Sequence, residues 1–188
     1  RAILLRNFSF SICAASMWAL LPVIARDHLG LGAGGFGLVF GSFGTGAVIS
    51  ALAIPGQLRK HSLHKIVVAS SLLWVIATAL MAATTMVAFA VIAAFAAGAA
   101  WVGVFASLSA GTQSAAPAWV RARAVAMTFV TVQTSLAVGS ILWGVLATWQ
   151  GIHTALIASA ILFMVLLALL RNVRVRLGGD KDVLPGDQ

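Results

Sequence analysis

The stretch AVISALAIPGQLRKHSLHKIVVASSLLWVIATAL, residues 47–80, decides the fold. Two apolar runs flank one short link. Arg59, Lys60, Lys65, His61 and His64 crowd into that link with no acid beside them. A soluble protein does not alternate in this way. A membrane protein does, because each apolar run crosses the bilayer and each link returns to one of its two surfaces.

The rest of the chain repeats the pattern. Of 188 residues, 61% are hydrophobic and 9% are charged, with mean hydropathy +1.05. Soluble domains carry roughly 25% charged residues, so the surrounding medium of this chain must be lipid. A bilayer core of about 30 Å takes about 20 helical residues to cross. Six runs are long enough, over approximately 4–25, 34–57, 65–84, 86–112, 120–148 and 152–170. The break between the third and fourth, at AATTMV, is the weakest. None alternates in polarity as a barrel strand would, and unpaired backbone groups are too costly in hydrocarbon for anything but helix. The reading is an all-α membrane protein: a six-helix transmembrane bundle over residues 1–171, followed by a polar, disordered cytoplasmic tail over 172–188.

Charge sets the orientation. An even number of crossings puts both ends of this chain on one side. Eleven of the twelve cations fall there, and only Arg26 falls on the other. Positive links stay in the cytoplasm, so the expected location is a bacterial inner membrane with both termini inside. Arg59, Lys60, Lys65, Arg121 and Arg123 then fix topology and meet lipid headgroups. The net charge of +8 sits in short separate clusters. It is not the contiguous basic face that a nucleic-acid binder needs, so lipid, not nucleic acid, is the expected partner.

No catalytic constellation is visible. The four acids, Asp27, Asp180, Asp182 and Asp187, lie outside the apolar runs, and no histidine is central in one. The lone Cys13 reads as a small packing residue. The sequence therefore predicts no enzyme, no metal and no cofactor. What remains is polarity and aromatic character on helix faces. At 100° per residue, Asn7, Ser11 and Trp18 share one side of the first helix, and Ser9, Cys13 and Ser16 share another. Trp101, Phe105 and Ser109 line up on the fourth, opposite small residues that include Gly103 and Ser107. Gln133 lies mid-way along the fifth, facing away from Thr128, Thr131, Ser135 and Gly139. Asn7, Ser11, Trp18, Trp101, Phe105, Ser109 and Gln133 are the expected wall of a path for an amphipathic solute. Gly37, Gly41 and Gly44 share one face of the second helix and are expected to admit a close helix neighbour.

Three longer stretches carry a family resemblance: WALLPVIARDHLGLGAGGFGLVFGSFGTGAV (18–48), GAAWVGVFASLSAGTQSAAPAWVRARAVAM (98–127) and LAVGSILWGVLA (136–147). APAWVRARA (116–124) is the most specific. With these residues the chain resembles the C-terminal six-helix half of a major facilitator superfamily transporter. The bacterial efflux permease branch that contains the enterobactin exporter is the nearest likeness. The resemblance implies twelve helices in two halves, a substrate held between them, and alternating access by rocking. It implies a missing N-terminal six-helix half as partner, a small-molecule substrate such as a drug or siderophore, and a chain that is a fragment. It also implies that the third and sixth helices stand outside. GQLRKHSLHK occupies the place of the superfamily's cytoplasmic loop motif. Gly56 and Lys65 match it, but Lys60 replaces the acid and Leu63 the second glycine, so charge-relay gating by this loop is not expected. Two other readings stay open: a self-contained six-helix homodimeric transporter, and a non-transporting membrane scaffold or subunit.

Overall fold

The structure, a computed structural model, describes residues 2–170. Arg1 and the expected tail at 172–188 lie outside the described residues. Six helices follow one another: α1 (Ala2–Val23), α2 (Ala33–Lys60), α3 (Leu63–Ala83), α4 (Val87–Ala115), α5 (Arg121–Gln150) and α6 (Ile152–Leu169). All six are long and apolar enough to cross a membrane. The protein is an all-α six-helix membrane bundle.

The connections explain the boundaries. Pro22 cannot continue the regular hydrogen-bond ladder of α1, and the chain widens into a π-turn over Ile24–His28. There Leu29 N donates to Ile24 O at 3.0 Å and Leu31 N to Ala25 O at 2.8 Å. Gly30, at φ +62°, completes the turn in a conformation that suits glycine. The weak break in the sequence is real: Thr84 ends α3, and its hydroxyl accepts the Met86 N–H at 3.1 Å. Between α5 and α6 the whole connection is Gly151, at φ +88°. α2 continues three residues past its expected end, so Arg59 and Lys60 form its last turn. Cations at a helix C-terminus favourably meet its partial negative charge.

Packing follows a 3+3 pattern. α4 packs against α2 and α3, and α1 against α5 and α6, while α3 and α6 touch each other. Exchanging the first three helices for the last three maps the main pairs onto one another. α1 is the most deeply buried helix, whereas α2 and α5 leave the largest share of their surface open. α3 is less peripheral than its near-uniform apolarity suggests, because Trp74, Ala77 and Met81 insert into the core. Trp119 and Trp149 stand 82% and 81% exposed just before and at the end of α5, the two levels at which tryptophan anchors a helix in a bilayer.

Three close crossings hold the bundle. At the first, a Cβ on Gly46 of α2 would run into the Phe95 carbonyl oxygen, and one on Gly98 of α4 would run into the Phe43 carbonyl oxygen. The two backbones touch reciprocally. At the second, Gly103 of α4 meets the Ser70 side chain of α3. At the third, Gly139 of α5 lies on α1, where a Cβ would sit 2.5 Å from Ile12 O and 2.7 Å from Ala15 Cβ. The face expected to pack closely differs. Gly37, Gly41 and Gly44 point out of the bundle, with no described residue within 4 Å of where a Cβ would be. The α2–α4 crossing falls on the neighbouring face of α2, so Gly46 rather than the Gly37–Gly41 pair makes the close approach.

Polar side chains add ties between helices. Trp143 Nε1 donates to Ile12 O at 2.7 Å. The Ser16 and Ser159 hydroxyls bridge α1 and α6 at 2.7 Å. At the end bearing Arg59, Lys60, Arg121 and Arg123, hereafter the basic end, Arg6 is 96% covered. It donates to the Leu170 carbonyl at the end of α6 at 2.9 Å and lies 3.5 Å from His64 Nδ1. At the opposite end, the exposed Arg26 and Asp27 lie 3.6 Å apart.

Candidate functional site

Ten aromatic side chains form one connected system to which every helix contributes. Trp101 of α4 is its hub. Its ring lies 5.4 Å from Phe10 and 5.4 Å from Trp18, both on α1, and 6.0 Å from Trp74 on α3. It lies 6.4 Å from Phe105, one turn along α4 and nearly parallel. Phe105 meets Phe129 of α5 edge-on at 5.5 Å. On the other flank Trp18 meets Phe40 and Phe43 of α2, and Phe36 stacks on Phe40 at 5.7 Å. Phe10 reaches Phe163 of α6 at 5.6 Å.

These distances are those of attractive ring pairs, each worth about 0.5–1.5 kcal/mol beyond the area it buries. The system is graded in exposure. Phe10, Trp74 and Phe163 are buried, Trp101 and Phe105 are half-buried, and Trp18 (36%), Phe40 and Phe129 are exposed. A ring ladder that rises from the core to an open face can stack a flat or apolar solute without moving its base.

The expected path residues divide into three groups. Trp18, Trp101 and Phe105 come together as one wall, with Ser109 half-buried one turn beyond Phe105. Gln133 is exposed on α5, one turn beyond Phe129, which carries the ladder onto that helix. Asn7 and Ser11 are each only 1% exposed, although they share the Trp18 face of α1. The reason is tertiary: α4 and α5 converge at the basic end, where the Thr112 and Thr128 hydroxyls lie 3.5 Å apart. The opposite strip of α5 packs on α1, with Ser135 and Gly139 buried.

Two buried polar atoms have no hydrogen-bond partner among the described residues, Asn7 Nδ2 and Ser107 Oγ. Leaving such a group unsatisfied costs about 1–3 kcal/mol.

Sequence reasoning missed the α2 limb of the ladder. The signal was present: Phe36, Phe40 and Phe43 recur at helical spacing in GFGLVFGSF (35–43). The glycines between them drew the reading toward packing. Phe129 and Phe163 gave no such signal, since neither has another ring within two turns of it on its own helix.

Arg59, Lys60, Lys65, Arg121 and Arg123 are all exposed and lie at or beside the ends of α2, α3 and α5. Among the described residues no three His, Cys, Asp or Glu side chains gather where they could hold a metal ion.

No curated protein matches the chain. The family profile described as transmembrane secretion effector matches residues 1–188. Six membrane-length helices and that match over the full sequence lead to one identification: the chain belongs to the transmembrane secretion effector family of the major facilitator superfamily, and is a multi-pass membrane transport protein.

Proposed function

We propose that this bundle is one half of a secondary transporter that exports an amphipathic small molecule, such as a drug or siderophore, across a bacterial inner membrane. It works by alternating access against a second six-helix bundle N-terminal to it. The aromatic ladder carries this reading, because the exposed Trp18 and the half-buried Trp101 and Phe105 bring rings from two helices onto one wall. Stacking on rings holds many flat or apolar solutes with little demand on their shape. Ser109 and Gln133 supply hydroxyl and amide groups at the margin of that wall. The open faces of α2 and α5 leave room for the second bundle.

In this reading the basic end faces the cytoplasm, since the exposed cations cluster there and positive links are retained inside. The residues bind and orient. They perform no bond chemistry.

The test is Trp101→Ala in the full-length transporter, assayed for efflux of a panel of fluorescent amphipathic dyes from intact cells. Trp101 touches four other rings, so its loss should reorder the substrate preference while membrane insertion is retained. An unchanged profile across the panel would overturn the assignment.

A further inference from the structure

A groove opens toward the end opposite the basic end, where α1, α5 and α6 meet, and holds about 370 Å³. Trp143 and Ile12 form its floor, Leu142, Val145 and Trp149 one wall, and Leu162 the other. Trp143 is buried and Ile12 half-buried, while the wall residues are exposed. The lining is aliphatic apart from its two indoles, and the Trp143 N–H is already spent on Ile12 O. The helices give its depth. Its mouth is at Trp149, beside the Gly151 turn. Leu162 is ten residues past Ile152, the start of α6, which is about 15 Å at 1.5 Å per residue. Ile12, eleven residues from the Val23 end of α1, lies at the same level. That depth is half of a hydrocarbon core of about 30 Å, so the groove is one leaflet deep.

The groove faces away from the rings. At 3.6 residues per turn, Leu142, Val145 and Trp149 lie about 170° round α5 from Phe129 and Gln133. The second bundle that the transport reading places on the ring side leaves this groove to the bilayer. The groove is continuous with the exposed face of α6, where Ile161, Leu162 and Val165 stand clear of the other helices. In a membrane bundle that face already meets hydrocarbon. An empty groove there would leave its lining without contacts, and the material at that depth is acyl chain. A chain in the groove touches protein on three sides, against one side on a flat helix face, and packing of this kind is what drives association inside a bilayer. A transmembrane helix does not fit, since it needs about 20 residues and the whole core of about 30 Å. At the mouth Trp149 and Gln150 are exposed, and each carries N–H donors suited to ester and phosphate oxygens.

We propose that this groove holds one acyl chain of a phospholipid from the leaflet at that end, with the headgroup beside Trp149 and Gln150. The lipid fills the seam between α5 and α6 over the half of the membrane in which Gly151 joins them. The proposal goes beyond the transport reading and uses it only to place the second bundle.

Native mass spectrometry of the full-length transporter tests it. The protein is stripped of lipid in detergent, reloaded with palmitoyl-oleoyl phosphatidylethanolamine, washed, and read for retained lipid adducts. Val145→Trp and Leu162→Trp fill the groove from opposite walls, and each should carry one lipid fewer than the unaltered protein. Both positions are exposed, so a larger ring at either leaves the core intact, and the two variants check each other. Ile76→Trp, at an exposed position on α3 away from the groove, should retain the full number. Dihexanoyl phosphatidylethanolamine, which has the headgroup but only short chains, should not be retained. Equal adduct counts in all four proteins overturn the proposal, as does retention of the dihexanoyl lipid to the same extent. A dimer of the unaltered protein that both groove variants break would make a second copy the occupant, and overturns it too. The Trp101→Ala efflux profile reads the ring wall and not this groove, so either reading can fail alone.

Discussion

Gly98→Ala tests the packing at its tightest point. The added Cβ would fall inside contact distance of the Phe43 carbonyl oxygen, which belongs to backbone and cannot rotate away. Carbon and a carbonyl oxygen approach no closer than about 3.3 Å, so α2 and α4 must move apart by about 1 Å or more. Overpacking of this kind typically costs about 1–3 kcal/mol. Here the obstacle is rigid, so we expect a loss of about 3 kcal/mol. Gly46→Ala should cost a similar amount, since its Cβ meets the Phe95 carbonyl across the same crossing.

The double variant is the sharper measurement. Once one methyl has spread the helices, the second enters space already made, so the double should cost about 1–2 kcal/mol less than the sum. Gly41→Ala is the control. No described residue lies within 4 Å of its Cβ position, and helix propensity alone would make it neutral or stabilising by up to about 1 kcal/mol. Stability would be followed by reversible denaturation in mixed micelles of mild detergent and dodecyl sulfate. If Gly98→Ala and Gly41→Ala unfold at the same midpoint, or if the Gly46 and Gly98 costs simply add, the backbone contact described between α2 and α4 is wrong.

Two further predictions concern the ties of α1. Trp143→Phe keeps an aromatic ring but removes the donor to Ile12 O and part of the buried indole, and should cost about 1–3 kcal/mol in the same denaturation. No change would mean that the carbonyl is satisfied elsewhere. Ser16→Ala and Ser159→Ala each break the α1–α6 hydroxyl bridge. A double-mutant cycle should return a coupling of about 0.6 kcal/mol, the usual size for hydrogen bonds between membrane helices, and a coupling of zero would refute the pair.

What could be read without coordinates was decided by composition and period. The six helices follow from apolar length, and the Trp101–Phe105 face follows from a four-residue step along one helix. Contacts between helices were not legible in the same way. A glycine pattern such as Gly37–Gly41 shows that a close approach is sterically permitted, but not that a neighbour passes there. Gly46 and Gly98 matter because α2 and α4 cross at them, and hydropathy does not encode crossing points. Asn7 and Ser11 show the same limit. Their face of α1 was correctly phased with Trp18, yet the convergence of α4 and α5 covers only the part near the basic end. One face therefore carries a buried amide at residue 7 and an open indole at residue 18.

The indoles of Trp18, Trp74 and Trp101 have a spectroscopic consequence. With ring centres 5.4 Å and 6.0 Å from that of Trp101, the three chromophores cannot absorb or emit independently. Their transition dipoles couple, excitation migrates among them, and the aromatic circular dichroism of the protein should contain an exciton contribution whose size changes with displacement of α1, α3 or α4 relative to the others. The molecule thus carries an intrinsic optical gauge of its own helix spacing, readable without an attached dye.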